Sequence, residues 1–478
     1  ENHKCGCKST AFLRNMQIFL RICSIFCNFV AGINRNPHFL QSYYHMKIRF
    51  FLILLTTTMA GYAQHITQTI NPNIRTLRTR FLSEALEPTG TVSRPYLVLP
   101  MNGVIDGGDV ENTLEISFDE MSHDVHQYTY RVLHCNRDWT ESDISSFEYI
   151  DGFTNADIVD YEHSLNTQRA YTHYWLEFPN SDMQIKASGN YVLQIYEDGD
   201  PENVVAQVCF SVVEHMVGID ATIRANTDIE LNGRYQQLDI DVLTAQLNMR
   251  DASEVYVVVQ QNGRYDNVVT LNKPTFIEPN RLRYLNQKAL IFEAGNEYRH
   301  FDIYSSYYAG YNVNRVEYAQ GEYHALLELD DLRGIMAKGA SREGASYLSD
   351  RDANGQWIIN CEKSDEVDLE AEYMWVHFLL PVPQPIMDGW VFVGGELFGN
   401  QFGARNRMEY DADKKCYYLY TYLKQGGYDY MYYVVGHNGV TALPLEGSHW
   451  QTENEYTIWV YYRSFGARYD RLVGCKVL

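Results

Sequence analysis

The sequence lacks the residue patterns by which enzymes and metalloproteins are usually recognised. It has no Gly-x-Ser-x-Gly elbow, no phosphate-binding glycine loop and no His-Glu-x-x-His pair. No two cysteines after residue 63 have the Cys-x-x-Cys spacing that is typical of structural zinc sites. We therefore expect no catalytic residues, no metal and no cofactor.

Long hydrophobic runs are also scarce, and the most informative one lies near the start. The longest uncharged run in residues 1–45 is shorter than the about 20 apolar residues of a membrane-spanning helix. A basic region at 46–49 precedes an apolar stretch at 50–58, and small residues follow at 61 and 63. This pattern predicts a signal peptide over 46–63, cleaved after Ala63, with a buried core segment as the alternative. Residues 1–45 are interpreted as an upstream extension outside the native protein.

Positive charge is in short supply. The chain has 39 Lys and Arg against 61 Asp and Glu. Residues 1–63 hold seven of the basic residues and one of the acidic ones, so 32 basic and 60 acidic residues remain, a net charge of −28. Nucleic acid and anionic membrane surfaces are poor partners for such a field.

Cysteine is sparse as well, with five residues after Ala63. An odd number cannot all pair within one chain. Free buried thiols are the favoured interpretation, and a Cys135–Cys209 bridge is the alternative. Because Cys135 is the first of the five, no cysteine stands at the cleavage site to carry a lipid anchor.

Tyrosine and period-two alternation are what the sequence has in abundance. Its 38 tyrosines outnumber its 32 glycines, and tyrosine favours strands. Apolar and polar residues alternate over 114–119, and an Asn-Gly pair joins 255–261 to 264–271 as a predicted β-hairpin. Helical periodicity is limited to weak candidates near 73–86 and 331–338.

Many short strands separated by turns predict an all-β, multi-domain protein made of β-sandwiches with immunoglobulin-like modules. We divide the mature chain into an N-terminal sandwich at 64–215, a middle sandwich at 216–340 and a C-terminal sandwich at 341–478. Aromatic residues concentrate at 417–433 and 456–462, on both faces of the strands. One face builds the core, and the other either packs a neighbouring module or meets a partner.

Three local patterns have both a catalytic and a structural interpretation, and we favour the structural one for each. Glu396 follows two glycines after a strand, which a simple turn explains. His134 and Cys135 are neighbours on a strand and point to opposite faces, so they cannot act together. Glu453 and Glu455 share a face with carboxylates about 6–7 Å apart, near the glycosidase range, but such pairs are usually a solvated strand edge.

Several separated motifs occur in the order found in one family. They are residues 134–139, 149–153, 161–167, 171–174, 178–180, 188–193, 423–430, 446–449, 451–454 and 466–470. In these motifs the sequence resembles the plug protein of the type IX secretion system translocon of Bacteroidetes. The resemblance covers nearly the whole mature chain.

The resemblance implies a non-enzymatic periplasmic protein that closes the periplasmic end of a large outer-membrane β-barrel translocon. It makes residues 64–215 the plug domain and the barrel the partner that retains the chain at the outer membrane, without direct membrane insertion. It brings no active residues and no small-molecule substrate. An exported glycan-binding β-sandwich protein, with Trp390 or Trp459 stacking on sugars, is the alternative, and a hydrolase is a second one.

The sequence offers one segment as a tentative surface for the barrel. The loop at 397–407 combines Phe398, Phe402, Arg405 and Arg407 with glycines and small residues. An ordinary exposed hairpin loop is the alternative interpretation.

Overall fold

The computed structural model describes residues 65–85, 96–107, 111–347, 352–364 and 366–478. The predicted extension at 1–45 and signal peptide at 46–63 lie outside this part of the chain. Short strands dominate, and they pair into sheets that pack face to face around three separate cores. This confirms the predicted all-β, multi-domain sandwich. Elements are numbered below in chain order.

The first sandwich encloses the largest of these cores between two sheets. The strands of its first sheet are β1 (Gln68–Thr69), β3 (Tyr96–Val98), β5 (Tyr128–Cys135), β7 (Asn155–Ile158), β11 (Gly189–Glu197) and β12 (Val204–Val213). Those of its second sheet are β2 (Ile74–Phe81), β4 (Leu114–Glu120), β8 (Asp160–His163) and β9 (Thr172–Phe178), with β6 (Ile150–Gly152) and β10 (Met183–Ile185) paired beside them. The pairs are antiparallel except β3 with β12. The alternating segment at 114–119 lies in β4, as predicted, but the expected solvated face is wrong, because Ser117 and Asp119 are buried as well.

The second sandwich joins the middle of the chain to its end. One sheet consists of β13 (Gly218–Arg224), β14 (Tyr235–Leu243), β17 (Phe276–Glu278), β18 (Arg281–Tyr284) and β19 (Ile291–Glu293). The other consists of β15 (Val255–Gln261), β16 (Val269–Leu271), β30 (Tyr456–Tyr462) and β31 (Arg471–Val477). β15 pairs with β30 along its whole length. Two strands of the predicted 341–478 segment therefore complete the sandwich of the 216–340 segment, and the domain bounds as folding units stay a prediction.

The third sandwich is formed by the segment from 299 to 441, which lies between the two segments of the second sandwich. One sheet holds β20 (Arg299–Asp302), β23 (Trp357–Ile359), β25 (Gly389–Gly394), β28 (Gly426–Gly436) and β29 (Gly439–Thr441). The other holds β21 (Val313–Ala319), β22 (Glu322–Leu327), β24 (Tyr373–Pro381), β26 (Glu409–Asp411) and β27 (Cys416–Lys424). The tyrosine-rich segment at 417–433 forms β27 and most of β28, and its inward rings fill the core between the two sheets.

Helix is confined to single turns in the described ranges. They are α1 (Leu82–Ala85), α2 (Ser146–Tyr149) and α3 (Val367–Glu370), with 3₁₀ turns at Ala252–Glu254, Lys288–Leu290 and Glu396–Phe398. The helix prediction at 73–86 is wrong for most of the segment, which is strand β2, and holds only for the single turn α1. Arg80 of β2 pairs with Glu115 of β4 at 2.8 Å. The candidate at 331–338 forms turns instead of a helix.

The predicted hairpin at 255–271 is confirmed in outline. Asn262 and Gly263 have φ values of 49° and 64°, the left-handed geometry that an Asn-Gly turn requires. The returning strand, however, starts only at Val269, and residues 264–268 form an excursion between the two strands. Arg264 explains part of this difference, because its guanidinium lies 4.7 Å from the ring centre of Tyr433 in the third sandwich.

Candidate functional site

The three sandwiches meet around one large cavity of about 1230 Å³. β1 and β2 of the first sandwich form one wall, and β15 and β30 of the second form another. β24, β27 and the loop at 396–406 of the third sandwich close the remaining side. No single segment of the chain builds this cavity, so it exists only when all three sandwiches are assembled.

A buried ionic cluster joins the first and third sandwiches next to the cavity. Asp119 of β4 is fully enclosed and accepts hydrogen bonds from His173 at 2.6 Å, Tyr373 at 2.7 Å and Lys424 at 2.7 Å. Burial opposes ionisation of Asp119, but the charges of Lys424 and His173 outweigh it and lower the pKa of this carboxyl below its ordinary value. Asp119 therefore stays charged and holds strands β9, β24 and β27 together.

A second cluster joins the first and second sandwiches. Asp470, just before β31, is fully buried and accepts hydrogen bonds from Arg137 at 2.7 Å and Arg463 at 3.3 Å. Tyr461 of β30 donates to Asn190 of β11 at 2.8 Å. These contacts involve the family-like motifs at 134–139, 188–193 and 466–470, which thus meet at an interface between sandwiches.

The four tentative barrel-contact residues occupy different surroundings. Phe398 packs against the core of the third sandwich, and Phe402 lies edge-on to Tyr433 with ring centres 5.3 Å apart. Arg405 is exposed and donates to the Thr69 hydroxyl at 2.7 Å. Arg407 covers the indole of Trp390 at 4.8 Å. Phe398 and Arg405 line the cavity, whereas Phe402 and Arg407 do not. Their contact with a barrel stays a prediction.

His134 and Cys135 diverge, as the strand geometry predicts. The ring of His134 packs on Tyr191 and Tyr469. Its Nε2 lies 3.0 Å from the carbonyl oxygen of Ser188, which can only accept, so Nε2 carries the proton. Burial lowers the pKa of His134 to about 4.

Cys135 packs with Val192, Cys209 and Trp139 on the other face. All five cysteines after residue 63 are free thiols in the structure. Within the described ranges, no group of three or more His, Cys, Asp or Glu side chains is arranged to hold a metal ion. No helix in the same part of the chain is long and apolar enough to cross a membrane.

The remaining candidates belong to turns or to packing. Glu396 opens a 3₁₀ turn whose preceding Gly395 has φ 142°, and it lines the cavity. Glu453 and Glu455 precede β30 and donate their backbone N–H groups to Glu297 and Asn262. The two tryptophans considered for glycan stacking differ in their surroundings, as described next.

Trp459 packs among residues between the first and second sandwiches, edge-on to Tyr96 at 6.3 Å. Trp390 is 62% exposed, beneath Arg407. Trp390 therefore presents its ring on the outer surface, whereas Trp459 is half-buried and lines the cavity.

Sequence reasoning missed Arg75, Trp375 and Tyr422, which all line the cavity. Arg75 stands in the segment that was interpreted as helical. Trp375 and Tyr422 lie on β24 and β27, opposite each other with ring centres 5.0 Å apart. The density of tyrosines at 417–433 indicated an aromatic surface, but no local pattern showed that it faces β2.

Comparisons with known proteins agree with this architecture. A family model described as the first domain of the type 9 secretion system plug protein matches residues 104–214, which lie in the first sandwich. A crystal structure of a hypothetical protein from Parabacteroides merdae ATCC 43184 is similar at 36% identity and a TM-score of 0.79, covering 87% of this chain and 99% of that one. No curated protein matches the chain. The chain belongs to the type 9 secretion system plug protein family.

Proposed function

We propose that the chain is a non-enzymatic periplasmic subunit that closes the periplasmic end of the large outer-membrane β-barrel of the type IX secretion system. Membership of the family supports a role in type IX secretion and a location in the cell envelope. Closure of a barrel requires shape and surface instead of turnover. This agrees with a chain whose buried charged residues hold its sandwiches together.

The observation that carries the proposal is that residues of the family-like motifs meet at the interfaces between sandwiches. Lys424 of the 423–430 motif and His173 of the 171–174 motif meet at Asp119. Arg137 and Asp470 belong to two further motifs and meet at the other interface. These motif residues thus hold the three sandwiches together within one compact unit.

Affinity purification from outer membranes without crosslinker tests the proposal. A tagged chain should recover one very large β-barrel protein, and its repeated absence would count decisively against closure of a barrel. Arg407→Ala, and Trp390→Ala beneath it, probe the predicted 397–407 contact. Arg315→Ala is the matched control, because Arg315 is exposed on β21 and its ion-pair partner in the described chain is Glu317 at 3.0 Å. Recovery unchanged by both variants would remove this surface from the interface but leave the barrel as the proposed partner.

Glycan arrays test the alternative function, which is glycan binding. A glycan-binding protein should retain oligosaccharides through Trp390, and Trp390→Ala should abolish the signal. The plug role predicts no such retention and no dependence of array signal on this residue.

A further inference from the structure

The lining of the cavity at the sandwich junction has more basic than acidic side chains, unlike the chain as a whole. Its lining carries four basic and two acidic side chains, namely Arg75, Arg137, Arg405 and Lys424 against Asp138 and Glu396. The whole chain has 39 basic and 61 acidic residues. Asp470 and Asp119 neutralise Arg137 and Lys424, each at 2.7 Å. Arg75 and Arg405 then remain in the lining, together with the carboxylates of Asp138 and Glu396.

The other two cations have no acidic partner in the described parts of the chain. Arg75 is half-buried, and its side chain makes neither a hydrogen bond nor an ion pair there. Arg405 donates only to the neutral Thr69 hydroxyl. Burial lowers the pKa of the Arg75 guanidinium from its ordinary value, the nearby Arg405 acts in the same direction, and Tyr373 and Tyr422 oppose the shift without reversing it. A partly desolvated cation without a partner is unfavourable, and a bound anion would relieve it.

The backbone at Arg75 is distorted in a way that is typical of functional positions. The pairing of β2 with β4 shifts register between Arg75 and Arg78. Thr76 has φ 50°, which a β-branched residue rarely adopts. The Thr76 hydroxyl lies 2.5 Å from the Tyr373 hydroxyl, and this contact holds the bulge against β24. Bulges re-aim side chains next to binding sites, and such strain persists where the surroundings enforce it.

Aromatic rings form the wall next to these guanidiniums. Trp375, Tyr420 and Tyr422 all line the cavity, and Tyr420 is 49% exposed. The cavity volume of about 1230 Å³ exceeds the range of roughly 300–1,000 Å³ that suits single small molecules. The space therefore suits a segment of several residues whose carboxylates reach the guanidiniums.

We propose that this junction cavity binds an acidic peptide segment, with its carboxylates on Arg75 and Arg405 and its backbone against Trp375, Tyr420 and Tyr422. Guanidinium groups bind carboxylates through paired, charge-assisted hydrogen bonds. Because Arg75 and Arg405 have no acidic partner in the described parts of the chain, this part of the cavity favours carboxylates over neutral or basic groups. The inference holds whether or not the chain closes a barrel.

Fluorescence anisotropy with a labelled peptide of alternating Glu and Ser tests the proposal against a matched peptide of Gln and Ser. At low salt the Glu peptide should bind at least about tenfold more tightly than the Gln peptide. Arg75→Gln and Arg405→Gln should each weaken binding at least about fivefold. Arg315→Gln removes the same charge outside the cavity and should change affinity by less than about twofold.

Equal binding of the two peptides, or full affinity in the Arg75→Gln, Arg405→Gln double variant, would overturn the proposal. Competition by inorganic phosphate or an acidic oligosaccharide at lower concentrations than the unlabelled peptide would also overturn the assignment to a peptide. Circular dichroism checks the fold of each variant. Because Arg405 is exposed, Arg405→Gln decides the matter even if Arg75→Gln fails to fold.

Discussion

At the scale of single residues, Asp119 carries a charge that the fold encloses completely. Its three side-chain partners lie 54, 254 and 305 residues away in the sequence. An ionised carboxylate in such a place costs several kcal/mol unless its partners are present. Sequence patterns show only neighbours along the chain, so the motifs at 171–174 and 423–430 were visible but their meeting at Asp119 was not.

Replacing Lys424 by Met should destabilise the chain by roughly 3–5 kcal/mol, because Asp119 keeps its charge in a buried place after losing its ammonium partner. Urea unfolding measures the loss. Lys414→Met is the matched control, since Lys414 is exposed and its pair with Asp411 at 3.5 Å should contribute no more than about 1 kcal/mol. Adding Asp119→Asn to Lys424→Met should recover part of the stability. Equal effects of the Lys414 and Lys424 variants would contradict the ionic role.

His134 should make stability fall in mild acid. The unfolded state takes up a proton on this ring near pH 6.5, whereas burial lowers the pKa of folded His134 to about 4. The unfolded state therefore binds more protons between these values, and stability is full above about pH 6.5 and declines below it. From about pH 7.5 to 5 the loss attributable to His134 is roughly 2 kcal/mol. His134→Gln should flatten this decline in urea unfolding.

His126 is a useful control, because its effect on the pH dependence of stability has the opposite sign to that of His134. Its hydrogen bond to Glu197 at 2.7 Å raises the pKa of the ring. Its contribution is thus present at low pH and lost as the pH rises through the folded pKa. His126→Gln should steepen the decline toward pH 5, and a decline equal in both variants would show that neither ring causes it.

At the scale of elements, period-two alternation predicted strands well because it reports a face that must be buried. β4 confirms this directly. The weak helical periodicity at 73–86 was misleading, because in β2 Arg78 and Arg80 are almost fully enclosed, which no local pattern shows. Their partners, Glu115 and Asp368, stand on other elements, and these tertiary contacts override local preference.

Deleting residues 455–478 should unfold the second sandwich. The deletion removes β30 and β31, which form half of one sheet and contribute the buried Ile458 and Val460 to its core. Limited proteolysis with mass spectrometry should then show new cleavage between residues 216 and 293. Phe465→Ser is the control from the same region, because Phe465 is exposed in the loop between the two strands. Protection of 216–293 in the deleted chain would contradict this dependence.

At the scale of the whole molecule, the sequence predicted the sandwich class and the family but not the path of the chain. Gln261 and Tyr456, which lie at the ends of paired strands, are 195 residues apart. Local patterns indicate that both are strands and cannot say that they adjoin. The cavity could not be predicted for the same reason, since each sandwich supplies one wall. Arg75 and Arg405, which are far apart in the sequence, come together only in the folded chain.

Net charge gives a prediction that belongs to the complete chain. With 32 basic and 60 acidic residues after position 63, the surface favours a partner of opposite potential at the mouth of the barrel. Raising salt from about 0.1 M to about 1 M shortens the screening length from roughly 10 Å to roughly 3 Å. Recovery of the barrel with the tagged chain should therefore fall as NaCl rises.

Sucrose at matched osmolality should leave that recovery unchanged, which separates screening from a general effect of solute. The buried pairs at Asp119 and Asp470 are shielded from salt, so the chain itself should stay folded across the series by circular dichroism. Recovery that is indifferent to salt would show that shape and apolar contacts hold the complex, and the acidic surface would then need a different explanation, such as solubility.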